Sequence, residues 1–283
     1  MLLLTGATGN IGRELTRTLT ASNTEFRVLI RDPARAAHLP DHVERHLGDL
    51  DDPNALSEAM TGASALFLLV PGTGLDHTHH AIKAAQEAGV GRIVLISSLW
   101  TLGDPVPAMG RWHLERERLL TESGIPHTVI RPGGLMSNVL EWAPAIRAGE
   151  VLVDPTGPGR FFPVDPADIA AVAALALTSD GHDNATYLLT GQDSFTFAEQ
   201  IATLSRELNR DIAFRTAASA AEAVAARFPN GAPPTLSAAI LESFTAMRAD
   251  TVGLHTNTVT ELLGRPPRSF AQWCAAHRTT FAD

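Results

Sequence analysis

Hydrophobic residues in this chain gather in short continuous runs that alternate with helical stripes. The runs Leu2–Leu4, Phe26–Ile30, Val43–Leu47, Ala65–Val70, Arg92–Ser97 and His127–Arg131 read as strands. A strand that is apolar at successive positions is covered on both faces, as in a parallel sheet flanked by helices. Between the runs, Arg13–Leu19, Pro53–Met60, His77–Ala88 and Arg111–Glu122 carry helical spacing. Asp32-Pro33 and Asp52-Pro53 are helix-start pairs, a capping carboxylate followed by proline at the first helical position. Past Pro132-Gly133-Gly134 the alternation loosens into a helix over Asn138–Ala148, a Gly/Pro-rich loop over Asp154–Pro163, an apolar helix over Asp168–Thr178 and a strand at Tyr187–Leu189. Helices at Phe197–Leu208, Ala218–Phe228, Leu236–Met247 and Ser269–Phe281 follow. The pattern predicts an α/β fold: a doubly wound parallel sheet with a smaller, mostly helical C-terminal lobe.

Composition narrows the function classes. A net charge of −9 argues against nucleic acid as the main partner, because phosphate backbones need a basic face. No apolar run is long enough to span a membrane, the N-terminus is taken by the first strand rather than a signal peptide, and the single Cys274 cannot form an internal disulfide. A cytoplasmic protein acting on a small molecule is expected, with homodimer formation left open.

The first strand runs into Thr5-Gly6-Ala7-Thr8-Gly9-Asn10-Ile11-Gly12 and then into a helix. Glycines spaced in this way between strand and helix form a dinucleotide-binding turn. Gly6 permits the tight turn, Gly9 lets the backbone approach a pyrophosphate, and Gly12 lets the helix pack closely. The helix beginning near Asn10 and Ile11 points unpaired N–H groups at the phosphates, with Thr8 beside them. No Gly-Lys-Ser/Thr closes the loop, so it is not a mononucleotide P-loop. The end of the second strand carries Arg31, with Arg35 one turn later, where an NAD site carries an acid for the ribose 2′-hydroxyl. Guanidinium groups there suit the 2′-phosphate of NADP(H). Asp32 is the rival for an NAD role, although its place before Pro33 explains it as a cap. By strand topology, Asp49 and Leu50 lie under the adenine, Leu69, Val70 and Pro71 pass the nicotinamide ribose, and Ser97, Pro132 and Gly133 approach the nicotinamide end.

Taken together, Thr5–Gly12, Val28–Pro33, Gly48-Asp49-Leu50, Ile96-Ser97-Ser98, Arg131-Pro132-Gly133 with Met136-Ser137-Asn138, Pro163-Val164-Asp165, Asp168-Ile169-Ala170 and Gly264–Arg268 resemble the NmrA-like atypical short-chain dehydrogenase/reductases. The resemblance implies a Rossmann domain over residues 1–133, completed by about 163–190, with 134–162 and 191–283 forming a substrate-binding lobe. It also implies NADP(H) binding and the reduction of small organic molecules. Better-known members of the superfamily protonate the carbonyl with a Tyr-x-x-x-Lys pair. This chain has one tyrosine, Tyr187, and one lysine, Lys83, and neither follows the Ile96-Ser97-Ser98 strand.

A substitute proton donor is sought on the following helix. His113 and Glu117 lie four apart on one face, where the carboxylate would orient the imidazole and raise its pKa. In isoflavone-reductase-like enzymes a lysine near the start of this helix is thought to do this work, and His113 falls close to it. A solvated face of ion pairs, Arg111–Glu115 and Arg118–Glu122 among them, is the plainer reading of the same helix. Ser98, like Ser97, stands at a strand mouth, where a hydroxyl can bond a substrate oxygen or only cap the backbone. Trp100, Met136, Trp142 and Phe161 are expected to form an apolar pocket for a flat substrate, with Asn138 reaching it. His77, His79 and His80 lack a nearby Cys or Glu to complete a metal set, so no metal is expected. The expected function is NADPH-dependent reduction of a small, largely apolar carbonyl, enone or quinone. A non-catalytic NADP(H) sensor and a non-redox isomerase or cyclase on the same fold stay open.

Overall fold

The computed structural model describes residues 1–282. The chain divides into two compact units, one made of Met1–Leu99, Arg111–Pro132 and Pro166–Leu188, the other of Trp100–Gly110, Gly133–Asp165 and Leu189–Asp283.

The elements in chain order begin β1 (Leu2–Leu4), α1 (Asn10–Ala21), β2 (Phe26–Ile30), β3 (Glu44–Leu47), α2 (Pro53–Met60), β4 (Ala65–Leu68), α3 (Asp76–Ala88), β5 (Arg92–Ile96), α4 (Ala108–Glu122) and β6 (His127–Pro132). They continue α5 (Ala143–Ala148), β7 (Leu152–Asp154), α6 (Pro166–Thr178), β8 (Ala185–Leu189), α7 (Phe197–Leu208), β9 (Phe214–Thr216), α8 (Ala220–Arg227) and α9 (Pro234–Arg248). The last are α10 (Thr258–Leu263), α11 (Phe270–Ala276) and α12 (Arg278–Phe281).

The first unit is built on a seven-stranded sheet of order β3-β2-β1-β4-β5-β6-β8, parallel from β3 through β6. Alternation along each strand explains the continuous apolar runs. Leu3, Leu29, Leu66, Leu68, Ile93 and Leu95 face one way, into a core with Leu56 and Met60 of α2 and Ala81 and Ile82 of α3. Leu2, Leu4, Val28, Phe67, Val94 and Ile96 point the other way and are buried as well. Helix α6 is apolar almost all round, with Ile169, Ala170, Val172 and Ala173 fully buried, and it packs against α1. Asp52 caps α2 as its sequence suggests, accepting from the Asn54 and Ala55 amides at 3.0 and 3.1 Å. The chain order reverses beside β1, since β2 lies on one side of it and β4 on the other. A crevice opens there beyond the strand ends.

The second unit is mostly helical, but it also holds a two-stranded parallel sheet, β7 with β9. Unlike Leu2–Leu4, neither three-residue strand is a continuous apolar run, and all of Phe214–Thr216 is exposed. The stretch expected as one helix over Asn138–Ala148 opens as a 3₁₀ turn, Met136–Trp142, and becomes α-helical at Ala143-Pro144. The Ser269–Phe281 helix breaks at His277 into α11 and α12. Its core gathers Val139, Ile146, Phe197, Leu204, Phe270, Trp273 and Phe281. Burial pushes the Cys274 thiol of that core up to about 12, which makes it a packing residue. Among the described residues no helix is long and apolar enough to cross a membrane.

Candidate cofactor and active site

The glycine turn is held from beneath by Thr5, whose hydroxyl accepts from the Leu69 amide at 2.9 Å and lies 3.2 Å from the Phe67 and Leu69 carbonyls. Gly6 takes φ +66°, and the Gly9 amide closes the turn on the Gly6 carbonyl at 3.0 Å. A Cβ on Gly12 would sit 2.1 Å from the Gly6 oxygen, so this glycine is required by the turn folding back on α1. At Gly9 the nearest neighbour of a Cβ is 3.4 Å away, an ordinary contact. Packing does not demand glycine there, which leaves close approach of a ligand as the physical reason. Helix α1 starts at Asn10 with no side-chain cap, whereas Asp52, Thr196, Ser219 and Ser269 cap other helices. A helix start without a side-chain cap, following a glycine turn, is the kind of place where a phosphate binds. The residues present fit a dinucleotide.

At the end of β2, Thr8, Arg31, Asp32 and Arg35 line a pocket of about 350 Å³. The Asp32 carboxylate accepts from the Ala34 amide at 2.9 Å, so it caps the following turn. Arg13, not anticipated from the sequence, reaches from the first turn of α1 to the Thr8 carbonyl at 3.1 Å and the Arg35 carbonyl at 3.4 Å. Its signal was its place four residues after Gly9. Desolvation and then the charges of Arg13, Arg17 and Arg45 push the nearby His38 below its ordinary pKa, as a cationic surface should.

One expectation near β3 changes. Leu50 is buried in the sheet core with Leu29 and Leu56, so its side chain is not presented to an adenine; Asp49 beside it accepts from the Asp51 amide at 2.8 Å. His77 bonds Asp51 at 2.8 Å and His80 bonds the Leu50 carbonyl at 2.9 Å, which ties the start of α3 to this loop.

The ends of β4, β5 and β6 converge on α4. Its outer face carries an exposed ladder, Arg118 bonding Glu122 at 2.8 Å as expected and Glu115 at 3.1 Å. Its inner face is different. Arg116 is 2% exposed and donates to the carbonyls of Val70, Gly72 and Gly74 at 3.3, 2.6 and 3.1 Å, fixing the segment that follows Leu69, Val70 and Pro71. Glu117, also buried, takes a two-point bond from Arg131 at 3.0 and 2.5 Å and accepts the Ser97 hydroxyl. This corrects the expected His113–Glu117 pair, because Arg131 and Ser97 hold the carboxylate. His113 keeps a buried Nδ1 with no hydrogen-bond partner among the described residues. Its pKa falls to about 4, by desolvation first and the Arg116 charge second, with Glu117 only partly opposing them. The imidazole is neutral at pH 7, the opposite of the expected shift. Ser98 follows Ser97 and is half-buried; Pro132 is buried, and the Gly133 amide donates to Leu189 at 2.9 Å. Arg116 and Arg131 were not anticipated as anchors, since burial of a charge leaves no mark on local spacing.

In the second unit Met136 is 2% exposed, and Trp142 lies against Phe197 with ring centroids 4.7 Å apart. Both therefore serve the core of that unit rather than a pocket wall. Phe161 bridges to Phe195, Trp100 is half-buried and Asn138 is exposed. Arg268 pairs with buried Asp165 at 3.3 Å, which gives the two polar segments Pro163–Asp165 and Gly264–Arg268 a shared structural role.

A family described as NAD(P)H-binding matches residues 6–180. The chain is 34% identical to the NAD(P)H azoreductase of Xenophilus azovorans over 99% of each protein. It is 36% identical to the (4-alkanoyl-5-oxo-2,5-dihydrofuran-3-yl)methyl phosphate reductase of Streptomyces griseus, over 100% of this chain and 99% of that one. The Escherichia coli NADPH-dependent quinone oxidoreductase, solved in complex with NADPH, is similar with a TM-score of 0.83 and 27% identity, over 98% of this chain and 99% of that one. With an open glycine turn, an arginine-lined pocket and full-length relatives of this kind, the chain belongs to the NmrA-like atypical short-chain dehydrogenase/reductases, a family of NAD(P)H-binding reductases.

Proposed function

We propose that this protein is an NADPH-preferring reductase of a small, largely apolar compound with a conjugated acceptor: a quinone, an enone or a carbonyl. The observation that carries the reading is the pocket of Thr8, Arg31, Asp32 and Arg35 at the end of β2, whose two guanidinium groups suit a ribose 2′-phosphate. The names of the relatives supply the acceptor class: an azo compound, a quinone and an oxodihydrofuran phosphate. Bound NADPH supplies the hydride.

The chain's own part is to hold and orient. Gly6 and Gly9 keep the turn open to the pyrophosphate, and Asn10, Ile11 and Gly12 are the helix start proposed to bind it. Asp49 and the backbone at Leu50 flank the adenosine half, and Leu69, Val70, Pro71, Ser97, Pro132 and Gly133 flank the nicotinamide half. His113 and Ser98 are the groups proposed to bond the substrate oxygen. A neutral imidazole donates an N–H hydrogen bond there and keeps its proton, and the proton that completes the reduction comes from water. Trp100, Asn138 and Phe161 are the proposed substrate contacts of the second unit.

Calorimetric titration with NADPH, NADP⁺ and NADH tests the reading. Tighter binding of NADPH than NADH, reversed or abolished in Arg31→Ala, supports it, as does NADPH oxidation by quinones or enones. Equal binding of NADPH and NADH removes the preference. Cofactor binding with no turnover across an acceptor panel points to a sensor.

A further inference from the structure

Arg116 and Glu117 on the buried face of α4, together with Arg131 of β6, form a cluster that proton transfer does not need. Arg116 and Glu117 are neighbours, yet they serve different strand ends. Arg116 clasps the segment after β4 through the carbonyls of Val70, Gly72 and Gly74. Its Nη atoms face fixed backbone dipoles, while its buried Nε has no hydrogen-bond partner among the described residues. Glu117 joins the end of β5, through Ser97, to β6, through Arg131. The Ser97 amide is itself bonded to the Ile130 carbonyl at 2.7 Å, which fixes the backbone that carries the hydroxyl. Its hydroxyl proton is committed to Glu117, and the lone pairs left on Oγ can only accept. A hydroxyl oriented in this way recognises an N–H or O–H donor.

The sheet order decides which donor. The glycine turn follows β1 and the arginine pocket follows β2, so a dinucleotide spanning the switch point lays its adenosine half over β2 and its other half over β4, β5 and β6. The nicotinamide riboside half carries donors in its carboxamide and ribose hydroxyls. We infer that Arg116, Glu117 and Arg131 are positioning residues that lock the ends of β4, β5 and β6 and present the Ser97 hydroxyl as an acceptor to the nicotinamide half of the cofactor. The inference rests on NAD(P)H binding but not on any particular substrate. It removes Glu117 from proton transfer and gives it a role in place of the absent tyrosine–lysine pair.

Binding of the whole dinucleotide is compared with binding of its adenosine fragment in Ser97→Ala and Glu117→Gln. The probes are NADPH with adenosine 2′,5′-bisphosphate or, if wild-type protein binds only NADH, NADH with AMP. The wild-type titrations alone report on the nucleotide reading. Ser97→Ala and Glu117→Gln are expected to weaken the dinucleotide about 5- to 10-fold, the value of one hydrogen bond, while the fragment stays within about 2-fold. Hydrogen exchange of the apo protein adds a readout free of cofactor: Arg116→Lys should speed exchange over residues 70–74 and leave α1 unchanged. Equal weakening of dinucleotide and fragment would reduce the cluster to a merely structural one. Unchanged dinucleotide affinity in Ser97→Ala, which preserves the Glu117–Arg131 pair, would overturn the inference. So would a shifted pH profile in Glu117→Gln.

Discussion

The two ends of the proposed cofactor site use the same residue type in opposite ways. At the end of β2, Arg31 and Arg35 are exposed around an open pocket, free to meet a phosphate. At the ends of β4 to β6, Arg116 is buried against three carbonyls and Arg131 against Glu117. Exposed guanidinium groups lose little on folding, attract an anion from solution and are screened by salt. Buried ones are committed to the protein and gain nothing from a ligand directly. Their contribution is geometric, and removing a partner strands a charge away from water. In the proposed reading one end selects the nucleotide, and the other sets its pose.

That contrast is broken most forcefully at Glu117. Glu117→Ala leaves Arg131 half-shielded with no counter-charge, and a loss of about 3–5 kcal/mol is expected from such a broken buried pair. Urea unfolding of the apo protein measures it. A loss below about 1 kcal/mol would place the pair with the exposed ladder of Arg118 and contradict the distinction drawn here.

The next effect belongs to His113. Its folded-state pKa lies near 4, below the ordinary 6.5, so the unfolded chain binds the proton more readily. Stability contributed by the neutral imidazole is complete above pH 6.5, falls as the pH drops towards 4 and is constant below that. The full change is about 3 kcal/mol. Stability against pH compared between wild type and His113→Leu isolates it, and parallel curves from pH 4 to 7 would sink the assignment. Turnover, once a substrate is in hand, should show no acid limb near pH 6.5 attributable to this residue.

At the exposed end, Arg31→Ala should weaken NADPH about 10- to 100-fold, the range for a hydrogen bond to a charged group, and leave NADH nearly unchanged. The wild-type preference should shrink as salt rises, whereas the effect of Ser97→Ala should not. A salt-independent preference would mean that charge is not what selects the cofactor.

How far these features were legible follows from their range in sequence. The strands of the sheet, the glycine turn and Arg31 stood out because each depends on neighbours within a few residues: an apolar run, a turn, a strand end. Asp52-Pro53 was readable as a helix start for the same reason. Burial of Arg116 and Glu117 depends on partners 42 to 46 positions before and 14 after, and the surrounding Arg/Glu pattern is that of a solvated helix. The i,i+4 spacing of His113 and Glu117 correctly put them on one side of α4, yet it could not show that Arg131 competes for the carboxylate. In the second unit, β7 and β9 were missed because neither is a continuous apolar run, and Met136 and Trp142 drew attention as aromatic or flexible apolar groups that the core equally requires.

The smallest expected effect is also the sharpest test of the exposed end, because it concerns the acid that an NAD-specific site would use. Asp32 sits in the arginine pocket, but its carboxylate accepts from the Ala34 amide at 2.9 Å, at the start of the turn over Pro33–Ala36. Asparagine caps as well as aspartate does, and its amide oxygen can take the same bond. If capping is the whole of its role, Asp32→Asn should leave the melting temperature unchanged and alter the ratio of NADPH to NADH affinity by less than about 3-fold, with any gain for NADPH coming from one less negative charge near the phosphate. Asp32→Ala should then cost about 1 kcal/mol in stability, as the loss of a cap does, with the same small effect on the ratio. A selective loss of NADH binding in both variants would instead assign Asp32 to the ribose hydroxyls, and the pocket would serve either nucleotide, the arginines taking one and the aspartate the other.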